Sequence, residues 1–131
     1  MPRIQKLVTA ELRKELPPLY ANENVKNIDD VVVVAKFFSP YTNFEWYITE
    51  FDGDDTLYGF AVLNMGGDEW GYISLSELQE ARVFRGQVQA VERDICWTPK
   101  RWGDCEHRKA EREAEAKSRP LTPEEQAFNE G

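Results

Sequence analysis

Two apolar runs flank an Asp-Gly pair near the middle of the chain. Residues 44–51 and 56–64 are rich in aromatic and β-branched side chains, which fit the pleated surface of a sheet. Asp52-Gly53 lies between the two runs. This dipeptide favours the tight turn of a β-hairpin, because glycine adopts positive φ without steric cost. The pattern predicts an antiparallel hairpin, and the rest of the fold has to pack around it.

Similar short runs, separated by turn residues, predict the other strands. The predicted strands are residues 31–38, 44–51, 56–64, 69–74 and 88–96. Thr9 can cap a short helix that ends before Pro17, and Ser74 can cap a second helix that continues through Arg82. Successive strands joined by short turns form a meander. The predicted fold is therefore α+β, a single domain with an antiparallel meander sheet of four to five strands and two short helices.

Alternation along the strand at 44–51 assigns its side chains to two faces of the sheet. Phe44, Trp46 and Ile48 fall on one face, which we interpret as core. The opposite face is expected to carry Glu45, Tyr47, Thr49 and Phe51. Because Tyr47 and Phe51 are large aromatic residues, either a helix covers that face or it is a binding surface.

The composition changes near Pro99. Most aromatic residues precede it, whereas residues 100–131 contain 7 basic and 8 acidic residues. This tail is rich in helix formers but has no apolar stripe at helical spacing. We therefore expect a core domain over residues 1–99 and a charged C-terminal tail over residues 100–131 that is partly helical or disordered.

Charge and apolar content exclude several classes of protein. The chain has no run of about 18 apolar residues that could cross a membrane, and no apolar signal core follows its N-terminus. It has 131 residues, 2 cysteines and a formal net charge of −8. Neither a disulfide scaffold nor a sequence-independent nucleic-acid binder is expected from these values. They predict a cytoplasmic protein without membrane or nucleic-acid partners.

The negative charge is concentrated in residues 37–81, here called the acidic segment. It contains nine Asp or Glu residues and no Lys or Arg. Such a field attracts basic partners, although acidic side chains also keep a sheet protein soluble and protect its edges. The functional alternative is a surface that binds a basic protein. Its candidate partner-binding residues are Tyr47, Glu50, Asp52, Asp54, Asp55, Asp68 and Glu69.

The carboxylates of Glu50, Asp52, Asp54 and Asp55 lie within six residues of one another. Oxygen ligands at this density could hold Mg²⁺ or Ca²⁺. Their spacing does not match a calcium loop, however, and Asp-Gly also predicts a plain turn. We therefore assign no metal ligand and no cofactor.

Catalytic side chains other than carboxylates are scarce. His107 is the sole histidine, and its position in the tail leaves the core without a histidine base. Cys96, Cys105 and His107 lack the spacing of a zinc site. We expect instead a half-buried Cys96 at a strand end and an exposed Cys105. No catalytic residue is assigned, and a non-enzymatic role is favoured.

Several blocks of the chain occur together and in order. They are LPPLY at 16–20, AKFFSPYTNFEWYITEFDGDD at 35–55, GYISLSEL at 71–78 and VERD at 91–94. In these blocks the chain resembles a bacterial domain-of-unknown-function family, DUF2958, over about residues 9–99. The resemblance implies a small proteobacterial protein carried on plasmids or other mobile elements. It implies no catalytic or binding residue.

These observations lead to one leading hypothesis and two alternatives. The leading hypothesis is a non-enzymatic protein-binding accessory factor of a mobile genetic element that acts through its acidic face. In the most concrete version of this hypothesis, the protein inhibits a host defence system. The alternatives are a metal-dependent hydrolase that uses the Glu50 and Asp52 carboxylates, and a structural subunit of a plasmid transfer or replication assembly. The expected partner is a basic protein surface, and the expected state is a monomer or weak homodimer.

Overall fold

The computed structural model describes residues 4–63 and 67–118. The strands are β1 (Val32–Val33), β2 (Ala35–Phe38), β3 (Glu45–Phe51), β4 (Thr56–Val62), β5 (Glu69–Ser74), β6 (Arg82–Val83), β7 (Val88–Gln89), β8 (Glu92–Arg93) and β9 (Lys100–Arg101). The α-helices are α1 (Ala10–Glu15), α2 (Leu75–Glu80) and α3 (Glu106–Ser118), with 3₁₀ turns at Ile28–Asp30 and Trp102–Asp104. The main sheet has five strands in the order β5-β4-β3-β2-β8, and all its pairs are antiparallel. The predicted α+β class and antiparallel sheet are confirmed.

The predicted hairpin, β3–β4, lies at the centre of the sheet. A bulge between Ile48 and Glu50 shifts its register, and the hydroxyl of Thr49 donates to the backbone oxygen of Tyr58 at 3.1 Å. A β-carbon on Gly59 would lie 2.0 Å from a backbone oxygen of β3. This close approach of the two strands explains why a glycine occupies the middle of β4.

The bulge reverses the expected orientation of the end of β3. Alternation predicted Phe51 on the face of Tyr47, and this is wrong. Phe51 is buried in the same cluster as Trp46 and Ile48, whereas Tyr47 belongs to a second cluster on the other face. One extra residue in a strand inverts the alternation beyond it. Glu50 consequently shares the face of Tyr47.

Two of the predicted strands are interrupted. Residues 31–38 form β1 and β2 with Val34 between them, and the Val34 N–H donates to the backbone oxygen of Ile48 at 2.9 Å. Residues 88–96 form β7 and β8 rather than one strand, because β7 pairs with β6 while β8 pairs with β2. The second helix ends at Glu80, before the predicted Arg82, because Arg82 already pairs with β7.

Both helix caps predicted from the sequence are confirmed. The Thr9 hydroxyl accepts from the Leu12 N–H at the start of α1, and the Ser74 hydroxyl accepts from the Glu77 N–H at the start of α2. Leu12 and Leu78 turn from these helices into the main hydrophobic core. This core covers the sheet face that carries Trp46 and Phe51. Its buried members are Leu7, Val8, Leu12, Leu16, Val34, Ala35, Phe37, Trp46, Ile48, Phe51, Leu57, Leu78, Ala90 and Val91.

A second buried cluster covers part of the opposite face. Trp102 is 1 % exposed, and its ring packs 5.2 Å from Tyr47 and 4.9 Å from Phe60, centroid to centroid. Cys105 is buried in the same cluster, whereas Cys96 is exposed. The expectations of a half-buried Cys96 and an exposed Cys105 are therefore both wrong. Trp102 and Cys105 precede α3, so a search for an apolar stripe along the helix could not detect them.

The first turns of α3 lie against the second cluster. The His107 ring is 5.9 Å from that of Tyr47, and Arg108 Nε donates to Asp29 Oδ1 at 2.8 Å. Arg112 donates to the backbone oxygen of Gly103 at 2.6 Å. The predicted domain limit at Pro99 stays a prediction, and the predicted tail from residue 119 onward lies outside the described residues. Within those residues, no helix is long and apolar enough to span a bilayer.

Candidate functional site

The second cluster leaves part of its sheet face open, and a cavity of about 320 Å³ lies there. A row of side chains crosses this part of the sheet, because Glu50 pairs with Tyr58 and Tyr58 pairs with Tyr72. Trp70 on β5 lies beside the row, and the segment between α1 and β1 forms the other wall. We call this space the aromatic cavity. It is lined by Tyr20, Asn22, Glu23, Val25, Lys26, Ile28, Val31, Thr49, Glu50, Tyr58, Trp70 and Tyr72.

Aromatic rings form much of the cavity wall. The Tyr58 ring stacks on Trp70 with centroids 6.1 Å apart and meets the Tyr72 ring edge-on at 5.4 Å. The Tyr72 hydroxyl donates to the Tyr20 hydroxyl at 3.3 Å across the rim. This hydrogen bond is the main cause of a raised pKa at Tyr72. Tyr20 and Tyr72 are each 61 % exposed, so their rings are accessible from solvent.

Glu50 is the carboxylate of the cavity wall and is 5 % exposed. Its Oε1 accepts from the Tyr20 N–H at 2.8 Å. Its Oε2 accepts from the Asn22 N–H at 3.1 Å and from Asn22 Nδ2 at 2.9 Å. Tyr20 has a φ of 70°, a left-handed conformation that is uncommon outside glycine. The carboxylate thus holds the loop after α1 in a strained form against the sheet.

Asp52 has a structural role in the β3–β4 turn. Its Oδ1 accepts from the N–H groups of Asp54, Asp55 and Thr56 at 2.8, 3.1 and 3.0 Å. These backbone hydrogen bonds, first that of Asp54, lower the pKa of Asp52. Gly53 in the same turn has a φ of 88°, and its backbone oxygen accepts from the Arg13 guanidinium. The Asp-Gly prediction of a turn is confirmed.

Asp55 joins the turn to α2. Its Oδ1 accepts from the Ser76 N–H at 2.7 Å, and its Oδ2 accepts from the Ser74 hydroxyl at 2.9 Å. The Ser76 hydrogen bond is the largest cause of a lowered pKa at Asp55. The side chain of Asp54, by contrast, is exposed and forms no hydrogen bond or ion pair with the described residues.

The structure does not bring all the predicted partner-binding residues together. Asp52, Asp54 and Asp55 lie at the β3–β4 turn, whereas Asp68 and Glu69 lie at the β4–β5 end. The two groups are separated by the length of β4, roughly 20 Å for a strand of this size. The Asp68 carboxylate accepts from the Leu63 N–H at 2.8 Å, and Glu69 is exposed.

Tyr47 is 3 % exposed and belongs to the second cluster. Burial, followed by the charge of Glu45, raises the pKa of its hydroxyl. Its ring is therefore part of the core and is not exposed at the surface.

The carboxylates of Glu50 and Asp52 take part in separate hydrogen-bond networks. Glu50 binds the loop after α1, and Asp52 binds its own turn. Within residues 4–63 and 67–118, no group of three or more His, Cys, Asp and Glu side chains could hold a metal ion.

Four aromatic residues of the cavity were not predicted as site residues. Trp70 and Tyr72 alternate along a predicted strand, and this spacing places them on one face. Tyr58 belongs to the same face through the hairpin register. Nothing in the sequence near Tyr20 predicts that it lies at this surface, because its hydrogen bond to Glu50 spans 30 positions of sequence.

Comparison with known proteins identifies a family and no function. No curated protein and no solved structure matches the chain. The model of the family described as "Protein of unknown function (DUF2958)" matches residues 7–113, a match that includes the segment of Trp102 and the first two turns of α3. The chain therefore belongs to the DUF2958 family.

Proposed function

We propose that this protein is a non-enzymatic protein-binding factor whose acidic segment meets a basic surface of another protein. In its most specific form, the protein is an accessory factor of a mobile genetic element and occupies the nucleic-acid groove of a host defence nuclease. Carboxylates can replace phosphates there, because arginine and lysine bind both through charge-assisted hydrogen bonds.

The observation that carries this proposal is an asymmetry in ion pairing. Asp54, Glu69, Glu77 and Glu80 are exposed, and none of them forms an ion pair within the described residues. Within the segment, Glu45 is paired with Lys36 at 2.7 Å, and several acids outside the segment are paired as well. Asp29 contacts Arg108 at 2.8 Å and Arg112 at 3.7 Å, and Asp30 contacts Arg101 at 3.3 Å. The negative potential of the segment is thus less neutralised by ion pairs than that of the other described residues.

Two of the exposed acids lie at one end of the sheet. The hydrogen bond between Asp55 and Ser76 joins the β3–β4 turn to the start of α2, so Asp54 and Glu77 are near each other. Arg13 is the counter-charge at this end, where its guanidinium lies 5.2 Å from the Phe51 ring centroid and donates to the turn. A basic partner surface would meet the carboxylates of Asp54 and Glu77, while Asp52 holds the shape of the turn.

The arrangement supports binding more than catalysis. Asp52 Oδ1 and both carboxylate oxygens of Asp55 accept hydrogen bonds from backbone and hydroxyl donors of the fold. A hydrolase that divides the acid and base roles between two carboxyl groups needs both near one reacting atom, and among the described residues Glu50 shares no hydrogen-bond partner with Asp52 or Asp55. A surface of fixed, exposed charge needs no such convergence.

A capture experiment with matched charge reversals tests this function. The full chain is immobilised and exposed to lysate of the bacterium that carries its gene, and retained proteins are identified and then purified for affinity measurement. The test variant combines Asp54→Lys with Glu77→Lys. The control combines Glu106→Lys with Glu113→Lys, which changes the net charge equally. Like the test pair, it reverses one glutamate in a helical first turn.

We expect a basic protein whose affinity falls at least about tenfold in the test variant and changes little in the control. The affinity should also fall as salt is raised, because exposed charges are screened. Equal weakening by both variants would assign the interaction to net charge alone. Retention of no basic protein would reject the proposed function.

A further inference from the structure

Among the described residues, the carboxylate of the aromatic cavity has no cationic partner. No Lys, Arg or His nitrogen of the described residues lies within 4.0 Å of the Glu50 carboxylate, which is 5 % exposed. Burying a charge costs free energy unless hydrogen bonds and an opposite charge compensate for it. The loop after α1 supplies three hydrogen bonds, one to Oε1 and two to Oε2. Since each carboxylate oxygen has two lone pairs, Oε1 can accept one more donor.

The walls of the cavity favour an organic cation. The faces of aromatic rings attract cations through their quadrupole, and tryptophan and tyrosine do so most strongly. Trp70 and Tyr58 stack within the cavity, while Tyr72 and Tyr20 form its exposed rim. The two rim hydroxyls, 3.3 Å apart, add hydrogen-bond acceptors above the rings.

The size of the cavity suits a single side chain. Its volume of about 320 Å³ is at the small end of the range of about 300–1,000 Å³ that small ligands occupy. Glu23 and Lys26 also line it, and their opposite charges add no net charge to the cavity wall. The acidic segment supplies three of the four aromatic rings and the Glu50 carboxylate, so the surrounding potential also favours a cation.

Resting on the function proposed above, we propose that the aromatic cavity binds one arginine side chain of the basic partner protein. The guanidinium lies against the tyrosine and tryptophan rings, and one of its N–H groups donates to Glu50 Oε1. Arginine fits better than lysine because its guanidinium is planar, is weakly hydrated and stacks on aromatic rings. Its five donors are more than Glu50 Oε1 can accept, which leaves donors for the rim hydroxyls of Tyr20 and Tyr72.

Tryptophan signals provide a local readout of this binding. The chain has 4 tryptophans, and among them only Trp70 is a lining residue in the described part of the cavity. The full chain is titrated with N-acetyl-arginine methylamide while the indole N–H signals are followed by NMR. N-acetyl-citrulline methylamide serves as the neutral isostere, and N-acetyl-lysine methylamide as the ammonium probe.

We expect the arginine probe to shift the Trp70 indole signal in a saturable manner and to leave the other three nearly unmoved. Loss of a charge-assisted hydrogen bond should make citrulline and the Glu50→Gln variant bind about tenfold more weakly. Tyr72→Leu removes one ring at the exposed rim and should weaken arginine binding several-fold. Tyr41→Leu is the matched control, because Tyr41 is also exposed but packs on Phe84 outside the cavity.

Several results would overturn the assignment. They are the absence of a saturable Trp70 shift, equal binding of citrulline and arginine, tighter binding of lysine than of arginine, and equal weakening by the Tyr72 and Tyr41 variants. If Glu50→Gln disturbs the fold, the Tyr72→Leu comparison decides, because Tyr72 lies at the surface. Arginine binding without protein capture would reject the proposed function and keep the cavity. Capture without arginine binding would do the reverse.

Discussion

Replacing Trp102 with alanine should destabilise the whole domain. Trp102 is 1 % exposed and contacts the rings of Tyr47, Phe60 and Trp70 with centroids 5.2, 4.9 and 5.3 Å away. Truncation of a buried tryptophan removes its transfer free energy and leaves a cavity, which together cost about 3–5 kcal/mol. A small domain has a total stability of about 5–15 kcal/mol, so a substantial fraction of the free energy of unfolding would be lost.

Urea denaturation followed by circular dichroism measures this loss. The midpoint should fall while the m-value stays constant, because a stability change alone moves the midpoint. Ile95→Ala is the control, since Ile95 is 75 % exposed and such surface changes stay within about 0.5 kcal/mol. A loss below about 1 kcal/mol for Trp102→Ala would contradict the reasoning. It would mean that the segment before α3 does not close the second face of the sheet.

Three further predictions concern the turn, the strand contact and the thiols. Gly59→Ala should cost more than about 2 kcal/mol, because its β-carbon would meet a backbone oxygen at 2.0 Å. Gly71→Ala, where a β-carbon has no neighbour within 4 Å, should be well tolerated in the same urea assay. The pKa of Asp52 is lowered in the fold, so its contribution to stability should be complete above its unfolded pKa of about 3.9 and be lost as pH falls further. The stability difference between wild type and Asp52→Ala should therefore shrink on acidification, and a constant difference would refute this. Burial raises the pKa of Cys105 to about 11, so iodoacetamide at neutral pH should label the exposed Cys96 quickly and Cys105 only after unfolding.

The β3–β4 turn and the helix starts could be predicted because each depends on residues close together in the sequence. The β3–β4 turn follows from Asp52-Gly53, and the helix starts follow from the hydroxyls of Thr9 and Ser74. Each of these depends on hydrogen bonds within four residues. The sequence therefore predicts where the chain turns more reliably than it predicts which segments pack over the sheet.

The bulge in β3 explains the main error in assigning faces. Strict alternation puts Glu50 with Trp46 in the core and Phe51 with Tyr47 on the opposite face. The register shift exchanges the two, so that Phe51 enters the core and Glu50 enters the aromatic cavity. A bulge depends on how two strands pair, so the sequence of a single strand does not predict it.

The candidate site was only partly predictable for a similar reason. The acidic segment could be found by counting charges, and Glu50 lies within it. The cavity requires Tyr20 to approach Glu50 from 30 positions away, and only the folded chain brings them together. Asp52 and Asp55 look like ligands in the sequence, but Asp52 accepts from the backbone of its own turn and Asp55 accepts from Ser74 and Ser76 at the start of α2.

Hydrogen–deuterium exchange on the complex with the captured basic protein is the most direct measurement of the central claim. If the acidic segment and the aromatic cavity form the binding surface, complex formation should slow amide exchange at the β3–β4 turn, in β5 and in the loop that contains Tyr20. Exchange in α3 should remain unchanged. Protection confined to α3, with β5 and the β3–β4 turn unaffected, would contradict the account.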